Sequence, residues 1–286
     1  MNRIYLITGT SSGFGRALAE AVLERGGCAV LTARKPEAVS DLVDRYRDRA
    51  IGLRLDVTDD EERKSAVNAA VTRFGRIDVL VNNAGRGSLG AAEEFSSAQI
   101  RKAMEVNFFG AIEMTRAVLP TMRKQRRGHI LNISSVGGRV NIGGFSLYGA
   151  AKFALEGFSE ALRDEVAPLG IRVTLVEPGA FRTGFAGDSN MRPETTIDEY
   201  QPVIEPVRQY LYGNSGRQPG DPHKAALAMI QVVEAKHPPL RLLLGADAYQ
   251  LMESKTREMT EELAVWRGVG ESTAYADAEM RGIGGQ

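Results

Sequence analysis

The sequence is poor in the residues that build disulfide bonds and metal sites. It contains one cysteine and three histidines among 286 residues. With Cys28 alone no disulfide can form within the chain, and its apolar surroundings favour a small core residue over a redox or catalytic role. The histidines at positions 129, 223 and 237 are scattered, without an acid or cysteine at ligand spacing. We therefore expect no metal site.

Neither sign of charge is in excess, and long apolar runs are missing. Lys plus Arg and Asp plus Glu both total 36. This balance gives no reason to expect nucleic acid or an anionic membrane as a partner. No window approaches the roughly 18 apolar residues of a membrane-spanning helix, and the first apolar run is too short for a signal peptide. We expect a cytoplasmic protein without a membrane partner.

Short apolar runs alternate with helical patterns along most of the chain. The runs show no polar alternation, which is typical of a parallel sheet covered by helices on both faces. Strands are predicted at residues 4–8, 28–32, 51–55, 79–81, 130–133, 173–176 and 240–244. Helices are predicted at residues 16–25, 59–74, 96–123, 147–169, 222–235 and 247–266. The alternation predicts an α/β fold, a single-domain, Rossmann-type doubly wound parallel sheet.

A glycine-rich turn connects the first predicted strand to the first helix. Glycines at such a turn let the backbone bend sharply toward a pyrophosphate, and the N–H groups of the helix start attract the anion. The spacing is G-x-x-x-G-x-G rather than the common G-x-G-x-x-G, and a turn without a ligand is the alternative. Its position favours dinucleotide binding. The candidate binding residues are Gly9, Ser11, Ser12, Gly13, Phe14 and Gly15.

The end of the second predicted strand bears on the choice of cofactor. Sites that select NAD normally carry an acid about 20 residues past the glycines, where it binds the ribose hydroxyls. Here Arg34 and Lys35 follow the strand, and no acid appears before Glu37. Arg34 is therefore predicted to bind the 2′-phosphate of NADP(H) through charge-assisted hydrogen bonds. The alternative is a pair of solvated basic residues.

A tyrosine and a lysine lie one helical turn apart. Tyr148 and Lys152 share a helix face, and among the eight tyrosines Tyr148 alone has a lysine at this offset. A free phenol has a pKa of about 10, and a nearby cation lowers it, so Lys152 is expected to activate Tyr148. Ser134 and Ser135 follow an apolar strand upstream, where a hydroxyl is suited to bond a substrate oxygen.

Together with four further motifs, these features resemble the short-chain dehydrogenases/reductases. The resemblance extends in the right order from residue 3 to about residue 245. The further motifs are Leu55-Asp56-Val57-Thr58, Asn82-Asn83-Ala84-Gly85, Asn107 within Val106-Asn107-Phe108-Phe109-Gly110, and Pro178-Gly179 followed by Thr183. They resemble the family's acid near the adenine ring, its N-N-A-G segment, its catalytic helix asparagine and its P-G-x-x-x-T segment beside the nicotinamide.

The resemblance implies a catalytic tetrad and further cofactor contacts. Tyr148 would be the acid/base, and Lys152 would lower its pKa and bond the nicotinamide ribose. Ser135 would orient the carbonyl oxygen, and is preferred over Ser134 because the family's Ser-to-Tyr spacing is 13 residues. Asn107 would hold a water that links Lys152 to solvent. Besides Tyr148 and Lys152, the implied cofactor contacts are Asp56, Val57, Asn83, Ala84, Gly85, Pro178, Gly179, Phe181 and Thr183.

Two departures and one finer likeness qualify this assignment. Ala151 stands before Lys152 where a serine is common. Ser12 stands where some NADP-preferring members carry a basic residue, so the cofactor preference depends mainly on Arg34. The segments 135–138 and 153–157 resemble the branch that contains 17β-hydroxysteroid and retinol dehydrogenases, which act on bulky apolar alcohols and ketones.

We expect an NADP(H)-dependent oxidoreductase that interconverts a ketone or aldehyde and an alcohol. The resemblance implies a homodimer or homotetramer paired through the helices at 96–123 and 147–169. On the latter, Phe158, Leu162 and Val166 face either a partner or the sheet. One alternative is a nucleotide-sugar epimerase or dehydratase, against which the glycine spacing argues. The other is a non-enzymatic NADP(H)-binding sensor, against which the complete catalytic set argues.

The alternation of strands and helices breaks at residues 184–222. Because this segment follows the carboxyl end of the sixth strand, where ligands of open α/β sheets bind, we predict a mobile substrate lid. Its apolar wall would consist of Phe185, Met191, Tyr210 and Leu211. We assign residues 1–246 to the catalytic domain and 247–286 to a C-terminal helical extension and tail. Within it, residues 267–286 are expected to be irregular or mobile.

Overall fold

The computed structural model describes residues 3–187 and 190–279. Within them, seven strands form one sheet in the order β3-β2-β1-β4-β5-β6-β7, and all neighbours pair in parallel. The strands are β1 (Ile4–Ile7), β2 (Cys28–Ala33), β3 (Ala50–Arg54), β4 (Val79–Asn82), β5 (Gly128–Ile133), β6 (Ile171–Pro178) and β7 (Arg241–Leu244). The strand order reverses between β1 and β4, so the predicted Rossmann-type doubly wound sheet is confirmed.

Helices cover both faces of the sheet. They are α1 (Gly13–Glu24), α2 (Ser40–Arg45), α3 (Asp60–Phe74), α4 (Ser97–Met104), α5 (Gly110–Gln125), α6 (Ser146–Val166), α7 (Gln201–Gly213), α8 (Pro222–Glu234) and α9 (Ala246–Glu271). The first core cluster joins α1 and α8 to one face, and the second joins α3, α5 and α6 to the other. Along β1, Ile7 belongs to the first cluster and Leu6 to the second, which explains why the strands lack polar alternation.

The predicted helix at 96–123 is interrupted. It consists of α4, a π-helical turn at Glu105–Phe109, and α5. On α6, Leu162 and Val166 are buried against the sheet and Phe158 packs beside them. Leu162 and Val166 therefore pack in the core, whereas Phe158 is only partly buried and a partner contact of its ring stays a prediction.

The segment at residues 184–222 contains a helix that the sequence pattern did not reveal. Helix α7 begins at Gln201 and includes Pro202 and Pro206. Pro202 lies in the first turn, where its missing N–H would have had no helical partner, so this proline starts a helix rather than breaking one. Helix α9 also extends past the predicted end at residue 266, to Glu271. The terminal residues 280–286 lie outside the described part of the chain.

None of the helices in the described residues is long and apolar enough to cross a membrane.

Candidate active site

The turn between β1 and α1 lies against the end of β4. Gly9 has a φ of +71° and Gly13 a φ of +58°, values that L side chains rarely adopt. A Cβ on Gly9 would lie 3.0 Å from Ala84 Cα, and one on Gly15 would lie 2.4 Å from the Gly9 carbonyl oxygen. Two of the predicted glycines are therefore required by the close approach of backbone segments, independently of any ligand.

Thr8 and Asn83 hold this turn in place. The Thr8 hydroxyl accepts hydrogen bonds from the N–H groups of Asn83 and Ala84, each at 2.9 Å. The Asn83 Nδ2 in turn donates to the carbonyl oxygens of Thr8 and Gly9 at 2.8 and 2.9 Å. The N-N-A-G segment thus shapes the glycine turn, and the role of the Asn83 side chain in this structure is to orient that turn.

The start of α1 is suited to an anion. Its N-cap residue, Ser12, is extended, and within the described residues the Ser12 side chain makes no capping hydrogen bond and the first turn contains no acid. The first N–H groups of α1 therefore have no side-chain acceptor of their own. Phe14 contacts Phe181 at a ring distance of 5.1 Å, which joins this turn to the segment after β6. These residues fit the pyrophosphate of a dinucleotide.

The adenosine end of the predicted site contains Arg34, Asp56 and Val57. Arg34 is exposed and forms no ion pair within the described residues. Asp56 accepts hydrogen bonds from the backbone N–H and the hydroxyl of Thr58 at 3.0 and 2.7 Å. Burial acts to raise the pKa of Asp56, but these hydrogen bonds and the charges of Arg34 and Arg54 hold it below its ordinary value. Asp56 therefore stays ionised and is able to accept further hydrogen bonds.

Asn107 lies in the π-helical turn and is 2% exposed. Its Oδ1 accepts the N–H of Arg86 at 2.8 Å, and its Nδ2 donates to the Arg86 carbonyl oxygen at 3.0 Å. π-helical turns are frequent at functional sites because the extra residue reorients a side chain. Here the turn directs Asn107 toward the segment that follows β4, close to Lys152. A Cβ on Gly85 would lie 2.9 Å from Asn107 Oδ1 and 3.8 Å from Lys152 Nζ.

The two serines after β5 have different surroundings. Ser135 accepts a hydrogen bond from Gly137 N–H at 3.0 Å, is hydrogen bonded to Tyr148, and has the Pro178 carbonyl oxygen at 3.5 Å. The Ser134 hydroxyl is buried and has no hydrogen-bond partner among the described residues. Ser135, which the family spacing indicated, is therefore the serine that meets Tyr148.

Tyr148 and Lys152 lie on one face of α6, as the spacing predicted. Lys152 Nζ is 5.7 Å from the centre of the Tyr148 ring and donates to the Ile133 carbonyl oxygen at 2.7 Å. Burial raises the pKa of Tyr148 to about 12, although the Ser135 hydrogen bond acts in the opposite direction. The role of Lys152 in lowering this pKa stays a prediction, because desolvation of the phenol is the largest effect in this structure.

Burial also acts on Lys152. It lowers the pKa of Lys152 to about 8, and the nearby carboxylate of Glu156 acts against this shift. At neutral pH the phenol of Tyr148 is therefore protonated and Lys152 is largely charged. This is the state of a proton donor with a cation beside it.

The segment after β6 is held by a residue that the sequence patterns did not indicate. Asp247, in the first turn of α9, accepts the Ala180 N–H at 2.7 Å. A Cβ on Gly179 would lie 2.4 Å from Asp247 Oδ2, so the P-G dipeptide packs directly on this carboxylate. Thr183 begins a short 3-10 turn and accepts the Phe185 N–H at 3.4 Å. Asp247 lies 67 residues from its partner, and no local motif connects the two.

Phe185 covers the phenol of Tyr148. The two rings lie 5.1 Å apart at an interplanar angle of 67°. Phe185 also packs against the segment after β4, where a Cβ on Gly87 would lie 2.7 Å from the Phe185 ring. Met191 is buried, whereas Tyr210 is 63% exposed. Met191 packs with Phe95, Ala103 and Leu147, and Tyr210 points largely into solvent, so of the predicted wall residues Phe185 is the one that contacts Tyr148.

Two buried carboxylates and two partly exposed arginines form a cluster near Lys152. Glu156 on α6 and Glu177 on β6 are 4% and 2% exposed. Arg241 Nε lies 3.3 Å from a Glu156 oxygen and 3.2 Å from a Glu177 oxygen, and Arg139 reaches Glu177 at 3.7 Å. Burial and the Glu156 carboxylate, which also hydrogen bonds to Glu177, raise the pKa of Glu177 to about 7. The cluster joins the elements that carry Ser135, Lys152 and Pro178.

No group of three or more His, Cys, Asp or Glu residues within residues 3–187 and 190–279 is placed to hold a metal ion.

The fold and this arrangement of residues define a nucleotide-binding oxidoreductase. The family model for short chain dehydrogenases matches residues 3–194. The chain therefore belongs to the short-chain dehydrogenase family, as the resemblance indicated.

Three relatives match most of the chain. Oxidoreductase BOA17 of Botryotinia fuckeliana is 39% identical over 275 residues, which cover 96% of this chain and 100% of that protein. The 3-ketodihydrosphingosine reductase of Bacteroides thetaiotaomicron is 41% identical over 243 residues, covering 85% and 88%. Retinol dehydrogenase 8 of Bos taurus is 33% identical over 255 residues, covering 84% and 80%. The predicted resemblance to the retinol dehydrogenase branch is confirmed.

Two solved structures share the fold closely. A short-chain dehydrogenase from Streptomyces avermitilis superposes with a TM-score of 0.90 at 45% identity, covering 96% of this chain and 98% of that chain. A short-chain dehydrogenase/reductase from Burkholderia phymatum, solved in complex with NAD, superposes with a TM-score of 0.79 at 26% identity, covering 92% and 95%.

Proposed function

We propose that this chain is an NADP(H)-dependent reductase that interconverts a ketone or aldehyde and an alcohol, with Tyr148 as the general acid/base. The observation that carries the proposal is the meeting of Ser135, Tyr148 and Lys152 at the carboxyl end of the sheet. They lie beside a glycine turn that fits a pyrophosphate. This is where open α/β sheets bind their ligands.

The four residues of the tetrad have separable tasks. A bound nicotinamide supplies or accepts the hydride. Tyr148, protonated at neutral pH because burial raises its pKa, donates its proton to the carbonyl oxygen and takes it back in the reverse direction. Ser135 orients that oxygen by a hydrogen bond, and the charged Lys152 stabilises the phenolate left behind. Asn107 fixes the segment after β4 against which Lys152 lies.

The preference for NADP(H) depends on Arg34. Its guanidinium has no carboxylate partner within the described residues, and it follows β2 where an acid would select NAD. A 2′-phosphate supplies the missing anion through paired hydrogen bonds.

A bulky apolar substrate is supported by the surroundings of Tyr148. Phe145 lies 6.3 Å from the Tyr148 ring and Phe185 lies 5.1 Å from it, so the reacting group is enclosed by aromatic rings. We infer that the segment at 184–222 is a lid, with Phe185 as the residue above the substrate. The names of the reductase from Bacteroides and of retinol dehydrogenase 8 point to long apolar substrates in related proteins.

We also infer that the chain forms a homodimer or homotetramer. Phe109, which directly precedes α5, is 43% exposed, and Phe153 on α6 is 46% exposed. On α9, Met259, Leu263 and Trp266 are exposed by 50%, 66% and 63%. Apolar surfaces of this kind commonly mark contacts between subunits.

The test is NADPH oxidation against ketones of graded size by the wild type and by Tyr148→Phe. The wild type should oxidise NADPH in proportion to alcohol formed, and Tyr148→Phe should lose at least 100-fold in kcat while still binding NADPH. Tyr249→Phe, which alters an exposed tyrosine, is the matched control. NADPH binding without reduction of any carbonyl would indicate a sensor, and substrate turnover without net oxidation of NADPH would indicate an epimerase.

A further inference from the structure

A cavity with charged residues in its lining is present outside the tetrad, between α4 and the segment at 190–194. Its volume is about 550 Å³. Arg86, which directly follows the N-N-A-G segment, forms one wall, and Gln99 and Lys102 of α4 form another. Arg192 and Glu194 close the third side.

The cavity carries an excess of positive charge. Arg86, Lys102 and Arg192 line it together with one carboxylate, Glu194, and none of the three cations forms an ion pair within residues 3–187 and 190–279. The Arg192 guanidinium lies over the Tyr212 ring at 5.2 Å. Gln99 Nε2 donates to the Arg192 carbonyl oxygen at 2.8 Å, which connects α4 to the opposite wall.

Arg86 is the most constrained of these cations. Its backbone N–H and carbonyl are both bonded to the Asn107 side chain, which determines where its side chain leaves the main chain. The Arg86 Nε is buried and has no hydrogen-bond acceptor among the described residues. A buried donor without a protein acceptor is destabilising unless a water or a bound group accepts its hydrogen bond.

The electrostatic environment of Arg86 also favours a bound anion. Burial lowers the pKa of Arg86, and the positive charge of Arg34 lowers it further. The guanidinium groups of Arg34, which directly follows β2, and of Arg86, which directly follows the N-N-A-G segment, therefore repel each other. A doubly charged group with several acceptor oxygens would satisfy both.

We propose that this cavity binds a phosphate group, with Arg86 as the principal donor and Lys102 and Arg192 as supporting cations. The phosphate belongs either to the cofactor or to a phosphorylated substrate. The first source is favoured by the electrostatic effect of Arg34 on Arg86, and for that source the inference rests on the proposed function. The second source, a phosphorylated substrate, is favoured by the position of Asn190, which lines the cavity. Asn190 Nδ2 donates a hydrogen bond to the carbonyl oxygen of Phe185, and the Phe185 ring packs against Tyr148.

The test compares Arg86→Met, Lys102→Met and the conservative Arg86→Lys with the wild type. Lys124→Met, which alters an exposed lysine near the end of α5, is the matched control. Dissociation constants are measured by calorimetry for NADPH, NADH and inorganic phosphate. If the cofactor supplies the phosphate, Arg86→Met should weaken NADPH at least ten times more than it weakens NADH. Arg86→Lys should recover part of that loss, and Lys124→Met should match the wild type.

If a substrate supplies the phosphate, the ratio of NADPH to NADH affinity stays constant. Inorganic phosphate should then bind the wild type and compete with a phosphorylated ketone, and Arg86→Met and Lys102→Met should each weaken that binding several-fold. The proposal is overturned if both variants, folded by circular dichroism, match the wild type in every phosphate measurement. Wild-type turnover of a neutral ketone with NADPH tests the proposed function separately, so either can fail alone.

Discussion

Replacing Glu177 by glutamine should change how the stability of this protein depends on pH. In the wild type, Glu177 is buried against Glu156, Arg139 and Arg241, and its pKa is raised from 4.5 to about 7. A raised carboxyl pKa means that the folded state favours the protonated form. The resulting stability is fully present below pH 4.5 and is lost as the pH rises through 7.

The size of the effect follows from the two pKa values. At about 1.4 kcal/mol per pH unit, the interval from 4.5 to about 7 corresponds to about 3 kcal/mol of unfolding free energy. Glutamine keeps the shape and neutrality of the protonated carboxyl but does not titrate. Urea unfolding should therefore show the wild type losing about 3 kcal/mol relative to Glu177→Gln between pH 4.5 and pH 8.

The matched control is Glu160→Gln, which removes an exposed carboxylate bonded to the same Arg241 at 3.1 Å. A surface pair contributes about 0–1 kcal/mol, so the curve for this variant should run parallel to the wild type. Buried His129, whose pKa burial lowers to about 3, titrates equally in all three proteins and cancels in the comparison. Parallel curves for the wild type and Glu177→Gln would refute the reasoning.

Four further outcomes are expected. Arg34→Asp should weaken NADPH more than NADH by roughly 1–3 kcal/mol in fluorescence titrations, because a charge-assisted contact is lost; equal losses would remove the assignment. Phe185→Ala should alter kcat/KM for bulky ketones while NADPH affinity stays nearly intact, and Tyr210→Ala, at an exposed position, should have less effect. The lid role of Phe185 is refuted if Phe185→Ala matches the wild type on every ketone. Gly15→Ala should lower the unfolding free energy by about 1–3 kcal/mol in thermal denaturation, since its Cβ would lie 2.4 Å from the Gly9 carbonyl oxygen; an unchanged melting temperature would contradict this. Light scattering at micromolar concentration should show a dimer or tetramer, and a monomer would exclude the oligomer.

Local patterns were sufficient to predict the sheet and much of the site. Uninterrupted apolar runs mark strands buried on both faces, and each predicted strand is present within a few residues of its expected ends. The i, i+4 spacing places Tyr148 and Lys152 on one helix face whatever the helix packs against. Helix α7 was not predicted, because Pro202 and Pro206 suggest a loop. Pro202 is nevertheless compatible with the first turn of a helix.

Other features depend on contacts between distant parts of the chain. Asp247 meets Ala180, and Arg241 meets Glu156 and Glu177, because the order of the strands brings β7 beside β6. No periodicity connects residues so far apart in sequence.

The sequence by itself determined the parallel sheet, the glycine turn and the pairing of Tyr148 with Lys152, since each follows from backbone periodicity or from the conformational freedom of glycine. The tertiary structure alone decided the protonation of that pair. Spacing predicted a lowered pKa for Tyr148, whereas burial raises it to about 12. Desolvation depends on everything packed around a group, and that surrounding is assembled from residues throughout the chain.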